Sequence, residues 1–202
     1  MVVVKDNFLS EDRFNWLKQI ASKKAESSFN IATKGNASLI SKFYTKDNTG
    51  WDLSFLKLKG DVTIPAHVLG KEVIHIIDDV ESAIAEFDSF VKHEELVNLY
   101  FMFSIKGYEI PKHFDAVYRN STKEDLSKIY KAFIFCHDEW SEDWGGELCF
   151  HHGEYSPLPN RLLIYSGDEE HWVKPVNDMA KDNIRKIFGL RYREEKNEQR
   201  TI

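Results

Sequence analysis

What most narrows the folds open to this chain is the pattern of its second half. From Leu96 onward, short runs rich in β-branched and aromatic residues follow one another: Leu99-Tyr-Phe-Met-Phe-Ser-Ile105, Ala132-Phe-Ile-Phe135, Glu147-Leu-Cys-Phe150, Arg161-Leu-Leu-Ile-Tyr165 and Ile187-Phe-Gly-Leu-Arg-Tyr192. Gly, Pro, Asn and Asp turns separate them. Such runs are too short for stable helices and suit strands. Strands of this kind bury their apolar faces by stacking two sheets or by closing one sheet on itself. A sandwich or barrel is therefore expected over the C-terminal half.

The first half has a different period. From Ser10 to about Lys24, Phe14, Leu17, Ile20 and Ala21 recur at helical spacing, with Ser10 as N-cap and Arg13 where a capping-box Glu would sit. Val73, Ile76, Ile77, Val80, Ile84, Phe87 and Val91 make a longer helical stripe with acidic residues between them, expected to pack on the sheet. The polar stretches Thr33–Ser38 and Lys46–Gly50 read as loops and are candidate covers over a site. The tail from Glu194 to Ile202 is polar and expected to fray. No internal repeat or low-complexity tract is visible.

A chain of 202 residues supports one sizeable core, and 42% hydrophobic with 13% aromatic residues is enough apolar surface to fold it. The formal charge of −6 and the lack of a Lys/Arg run give no footprint for a phosphate backbone. No stretch approaches the roughly 20 apolar residues of a membrane helix, and the first residues lack a secretory pattern, so a cytoplasmic protein is expected. Cys136 and Cys149 both lie in apolar, strand-like runs and read as buried, reduced thiols without a catalytic role.

The chemistry concentrates in Ile110-Pro-Lys-His-Phe-Asp-Ala116. On an extended strand His113 and Asp115 face the same way, about 6–7 Å apart at the backbone, so both can reach one ion. A third ligand must come from another strand, and His171 follows the apolar run ending at Tyr165. Two imidazoles and one carboxylate on one face are the triad of non-haem iron(II), which leaves three coordination positions open. The other histidines read as surface or core residues: His67, His75 and His93 in or near helical segments, and His137, His151 and His152 flanking strands.

Over nearly its whole length the chain resembles the 2-oxoglutarate and iron(II)-dependent dioxygenases, in particular their prolyl 4-hydroxylase-like branch. Val4-Lys-Asp-Asn-Phe-Leu-Ser-Glu-Asp12 is similar to that family's opening strand and first helix. Gly107 stands six residues before His113 as in its G-x5-H-x-D stretch, and Trp140-Ser-Glu-Asp-Trp-Gly-Gly-Glu-Leu148 is similar to its W-x4-G-G-E-L turn. Pro159-Asn-Arg-Leu-Leu-Ile-Tyr165 resembles the strand leading to the distal histidine.

The resemblance implies one domain over residues 1–202, mainly β in an α+β chain: a double-stranded β-helix (a jelly-roll, cupin-like barrel) over about 96–193, with the N-terminal and mid-chain helices on one face. It implies Fe(II), 2-oxoglutarate and O2, and admits ascorbate. It also implies a peptide or protein substrate, proline-containing, over nucleic acid. Arg185, opening the last strand-like run, is placed to hold the remote carboxylate of 2-oxoglutarate through its guanidinium fork. The interval from His171 to Arg185 is longer than usual, with Asn177–Asn183 as the inserted turn, and Arg191 and Arg193 are rivals for the role. Where the family carries tyrosines this chain has Ser104, Ile110 and Phe135, so Tyr100, Tyr108 or Tyr118 would supply the missing contacts. Two other readings stay open: a nucleic-acid demethylase of the same superfamily, which pairs two arginines six apart as Arg185 and Arg191 stand, and a barrel that binds metal without turnover.

Overall fold

The three valines that open the chain favour an extended backbone, and they become a strand by pairing with a segment far along the sequence. Strand β1 (Val2–Lys5) runs antiparallel to β8 (Leu162–Ser166), with Val2 opposite Tyr165 and Lys5 opposite Leu162. The computed structural model describes residues 2–32, 55–57, 71–87, 94–104, 106–107, 109–114, 129–181 and 183–194. After β1 come helix α1 (Glu11–Ala32), β2 (Phe55–Lys57), α2 (Lys71–Phe87) and β3 (Glu94–Ser104). Then follow β4 (Ile110–His113), β5 (Ile129–Phe135), β6 (Leu148–Phe150), β7 (Gly153–Tyr155), β8, β9 (His171–Val173) and β10 (Arg185–Glu194).

Two antiparallel sheets face each other, with strand orders β1-β8-β5-β10-β3-β2 and β4-β9-β6-β7. Strands that follow one another in sequence thus alternate between sheets, which gives a double-stranded β-helix. The larger sheet has two buried faces. Its outer face, with Phe101, Phe103, Ile134, Ile164, Phe188 and Leu190, packs against Leu17 and Ala21 of α1 and Ile76, Val80 and Ile84 of α2. Its inner face, with Met102, Phe133, Phe135, Leu163, Tyr165 and Ile187, packs against Leu148, Phe150 and Val173 of the smaller sheet. Burial of each such side chain stabilises by about 1.5–3 kcal/mol. Both helices therefore lie on one face, as their apolar stripes require.

Helix α1 starts where Ser10 predicts, with the Ser10 carbonyl accepting from Phe14 N–H at 2.9 Å. It extends to Ala32 rather than Lys24, because the first Gly or Pro after Ser10 is Gly35. Helix α2 ends at Phe87, short of Val91, and residues 88–93 lie outside the described set. An Arg13–Asp79 ion pair ties the helices together, a use for the arginine that displaces a capping-box Glu. Strands β2, β7 and β9 have three residues each, too few to carry a readable alternation. The loops Thr33–Ser38 and Lys46–Gly50, with the tail from 195, lie outside the described residues.

Cys136 and Cys149 are free and buried; burial pushes the Cys136 thiol well up and that of Cys149 to about 11, so neither ionises near neutrality. No described helix is long and apolar enough to cross a membrane.

The junction between β1 and α1 hangs on Asn160. Its Oδ1 accepts from Leu9 N–H and its Nδ2 donates to Leu9 O, both at 2.9 Å, while its backbone sits at φ 58°. Leu9 is 3% exposed, so water cannot replace those bonds. Asn160→Ala is expected to cost about 3 kcal/mol in urea unfolding, from two orphaned backbone groups plus a strained left-handed alanine. Asn160→Gly should cost measurably less, because it removes the bonds but not the conformational freedom.

Candidate metal and cosubstrate site

The antiparallel register of β4 against β9 sets His113 directly opposite His171. Their rings lie 4.3 Å apart between centroids at 53°. Each Nδ1 meets a backbone carbonyl at 2.8 Å: Pro111 O for His113 and Glu169 O for His171. A carbonyl can only accept, so each Nδ1 carries the proton and each Nε2 keeps its lone pair. This is the tautomer a metal ligand needs, fixed by partners two residues away. Tyr165, fully buried, brings its hydroxyl to 3.4 Å from His171 Nε2, and Phe150 stands 5.9 Å from the His171 ring. Asp115 and Tyr108 lie outside the described residues, and so does Tyr118. Among the described residues no group of three His, Cys, Asp or Glu side chains is placed to hold an ion. The two imidazoles suit a divalent first-row metal, which Nε2 donors bind well.

Arg185 is fully buried at the far end of the same interior. Its guanidinium carbon stands 5.1 Å from the centroid of Phe135, the residue that replaces the family's tyrosine. Gly146 closes the floor beside it. A Cβ on Gly146 would stand 3.1 Å from Arg185 Cδ and 3.3 Å from Trp140 and Val176, at φ 78°. One on Gly145 would strike Pro175 O at 2.1 Å. The Gly-Gly pair is thus not a plain hairpin but the place where the loop passes under the arginine, held by Trp140 Nε1–H donating to Gly145 O at 2.9 Å. The inserted turn is present as a short 3-10 turn over Asp178–Ala180, capped by Asn177.

The structure brings His113, His171 and Arg185 to one barrel interior. Tyr100 lies on β3 opposite Gly189, on the strand beside β10. Arg191 shares the inward face of β10 with Arg185; Arg193 stands two residues further along that strand. Two inward residues escaped the sequence reading: Tyr165, read only as the end of an apolar run, and Lys131, 3% exposed. Strict alternation through Lys131, Phe133 and Phe135 was the signal for Lys131.

Residues 97–188 match the model of the 2OG-Fe(II) oxygenase superfamily, which places the barrel from β3 into β10 in that superfamily. No curated protein matches the chain. Among solved structures it is similar to a Pseudomonas putida prolyl-4-hydroxylase, at 13% identity, 96% of this chain, 92% of that one and TM-score 0.57. It is also similar to a viral collagen prolyl hydroxylase from Paramecium Bursaria Chlorella virus-1 in complex with 2OG, at 13% identity, 96% of both chains and TM-score 0.58. A prolyl hydroxylase from Trichoplax adhaerens, in complex with a hypoxia inducible factor peptide fragment, shares 17% identity over 96% of this chain and 84% of that one, with TM-score 0.61. These likenesses are of fold.

The remaining described histidines have structural partners. His151 is exposed and paired with Glu170 at 2.6 Å, His152 stands 4.0 Å from Glu169, and His75 is 4.0 Å from Asp78. His67 and His93 lie outside the described residues. His137 is buried: one ring nitrogen donates to Pro157 O at 2.5 Å and the other accepts from Lys186 N–H at 3.3 Å. Burial, with the nearby Arg185 and Lys186 charges adding to it, lowers its pKa from 6.5 to about 3. The folded state therefore binds this proton less readily than the unfolded chain. The stabilisation is complete above about pH 6.5 and is lost as pH falls from there toward about 3. In that window His137 should add up to about 1.4 kcal/mol per pH unit to acid destabilisation. Comparing unfolding free energies of wild type and His137→Gln across pH 7 to 5 should show a shallower acid slope in the variant.

Proposed function

We propose that this chain is an Fe(II)- and 2-oxoglutarate-dependent hydroxylase, with His113, Asp115 and His171 as metal ligands and Arg185 as anchor for the remote carboxylate. The observation that carries this reading is the pair of facing imidazoles with both Nδ1 protons committed to carbonyls, in one interior with a buried arginine. Iron and 2-oxoglutarate would supply oxygen activation strong enough to break an unactivated C–H bond. The protein's own tasks are then limited. The two histidines present Nε2 inward, Asp115 completes the facial set, and the Arg185 fork fixes the diacid's orientation by charge-assisted bonds. The apolar inner wall of Phe133, Phe135, Phe150 and Ile187 excludes water from the reaction. No general base is needed.

For substrate we propose a peptide or protein segment, with proline the first residue to test. The similarity in fold to prolyl hydroxylases, one of them in complex with a peptide, supports this, as does the acidic charge of −6. Phe114, next to His113 and 45% exposed, offers an apolar ring at the rim where such a segment would pass. The proposal includes a single domain over 1–202, a cytoplasmic setting and ascorbate as auxiliary reductant.

His113→Ala, Asp115→Ala and His171→Ala should each abolish 2-oxoglutarate-dependent succinate formation while the protein stays folded by circular dichroism. His152→Ala should retain it. Near-wild-type turnover in any of the three would remove that residue from the ligand set. Arg185→Ala should raise the 2-oxoglutarate requirement by about 1.5–3 kcal/mol of lost charge-assisted bonding, read as a shift in KM with iron affinity unchanged. Mass spectrometry after turnover, with proline-rich peptides set against methylated single-stranded oligonucleotides, decides the substrate class. One added oxygen on a peptide proline supports the proposal; demethylation of the oligonucleotide with all peptides unchanged rejects it.

A further inference from the structure

Three inward positions of the larger sheet stand in one row across β8, β5 and β10. Tyr165 is the cross-strand partner of Lys131, and Lys131 is the cross-strand partner of Arg191. The row lies at the level of the histidine pair, because Tyr165 packs 5.0 Å from the His171 ring and its hydroxyl lies 3.4 Å from Nε2. Alternation fixes the direction of all three. On β5 the neighbours Phe133 and Phe135 belong to the inner cluster while Ala132 and Ile134 face the helices. On β10 Ile187 faces inward, and Phe188, Leu190 and Tyr192 face outward. Lys131, 3% exposed, has its ammonium 5.8 Å from the Phe133 ring centroid.

Two cations set directly opposite each other on one sheet face repel, and an anion between them converts that repulsion into attraction. Arg185 lies six residues before Arg191 on the same face, about 20 Å away along the strand. Two long side chains and a five-carbon diacid fill such a distance. We propose that Lys131 and Arg191, with the Tyr165 hydroxyl beside them, form a second carboxylate site on the metal side of the chamber. It holds the near carboxylate of 2-oxoglutarate, so that the cosubstrate is gripped by cations at both ends. This rests on the reading of His113, His171 and Arg185 given above. It gives Lys131 and Tyr165 positioning roles that neither the superfamily match nor the fold assigns.

The test is an anaerobic binding titration of the iron(II) protein, following metal-to-ligand charge-transfer absorption with two ligands. One is 2-oxoglutarate; the other is 2-oxopentanoate, which keeps the near carboxylate and lacks the remote one. Lys131→Met should weaken both ligands by the same factor, about 10-fold or more for a charge-assisted bond. Arg185→Met should weaken 2-oxoglutarate alone. Cobalt(II) affinity, read from its visible absorption without any oxo acid, should be unchanged in Lys131→Met. Equal affinity of wild type and Lys131→Met for both ligands overturns the second site while leaving the proposed function standing. A wild-type protein that binds iron but neither oxo acid overturns both. Should Lys131→Met fail to fold, Arg191→Met and Tyr165→Phe decide it: weaker 2-oxopentanoate binding in both supports the site, and wild-type binding in both rejects it.

Discussion

Strand β10 is hydrogen-bonded along both edges, to β5 on one side and β3 on the other, so none of its backbone is left to water and its central side chains go to one of two interiors. Phe188, Leu190 and Tyr192 go to the helix side, and Arg185, Ile187, Gly189 and Arg191 to the barrel side. A one-residue slip of this strand would exchange the two sets, placing arginines against α1 and α2 and aromatics in the chamber. The helix packing, the position of the cosubstrate anchor and the charge of the chamber all depend on that register.

The smaller sheet imposes a second, independent constraint. Phe150, His171 and His113 form a row across β6, β9 and β4. The deeper row Leu148, Val173 and Ile110 is apolar, and below it Gly145 bridges to Val176. The site therefore has a polar level at the histidines, an apolar middle and a buried cation at the bottom. Water is excluded between the two charged levels, which strengthens the electrostatic forces acting there. That layering suits a diacid whose two ends are charged and whose middle is hydrocarbon.

Much of this was legible in the chain. The switch from a helical period to short strands announced two helices followed by a barrel, and the spacing of His113 to Asp115 announced a shared face. The similarity of the Gly145-Gly146 and Pro159–Tyr165 stretches to their counterparts pointed to His171 and Arg185. Less was legible where the signal is short. Three-residue strands carry no period, and Tyr165 and Lys131 read as ordinary members of apolar or mixed runs.

By itself the sequence determined which residue types could do chemistry and which segments could be helix or strand, because periodicity and ligand chemistry are local properties. Only the tertiary structure decided which of those residues meet. His113 and His171 are 58 positions apart and become neighbours through the β4–β9 register alone. The protonation of their Nδ1 atoms follows from the carbonyls of Pro111 and Glu169, whose direction is set by the turns before each strand. Lys131 became part of a cationic row through pairing with both β8 and β10. Contacts between distant segments depend on strand register, and register is fixed by how both faces of a sheet are buried together, which no single stretch of sequence encodes.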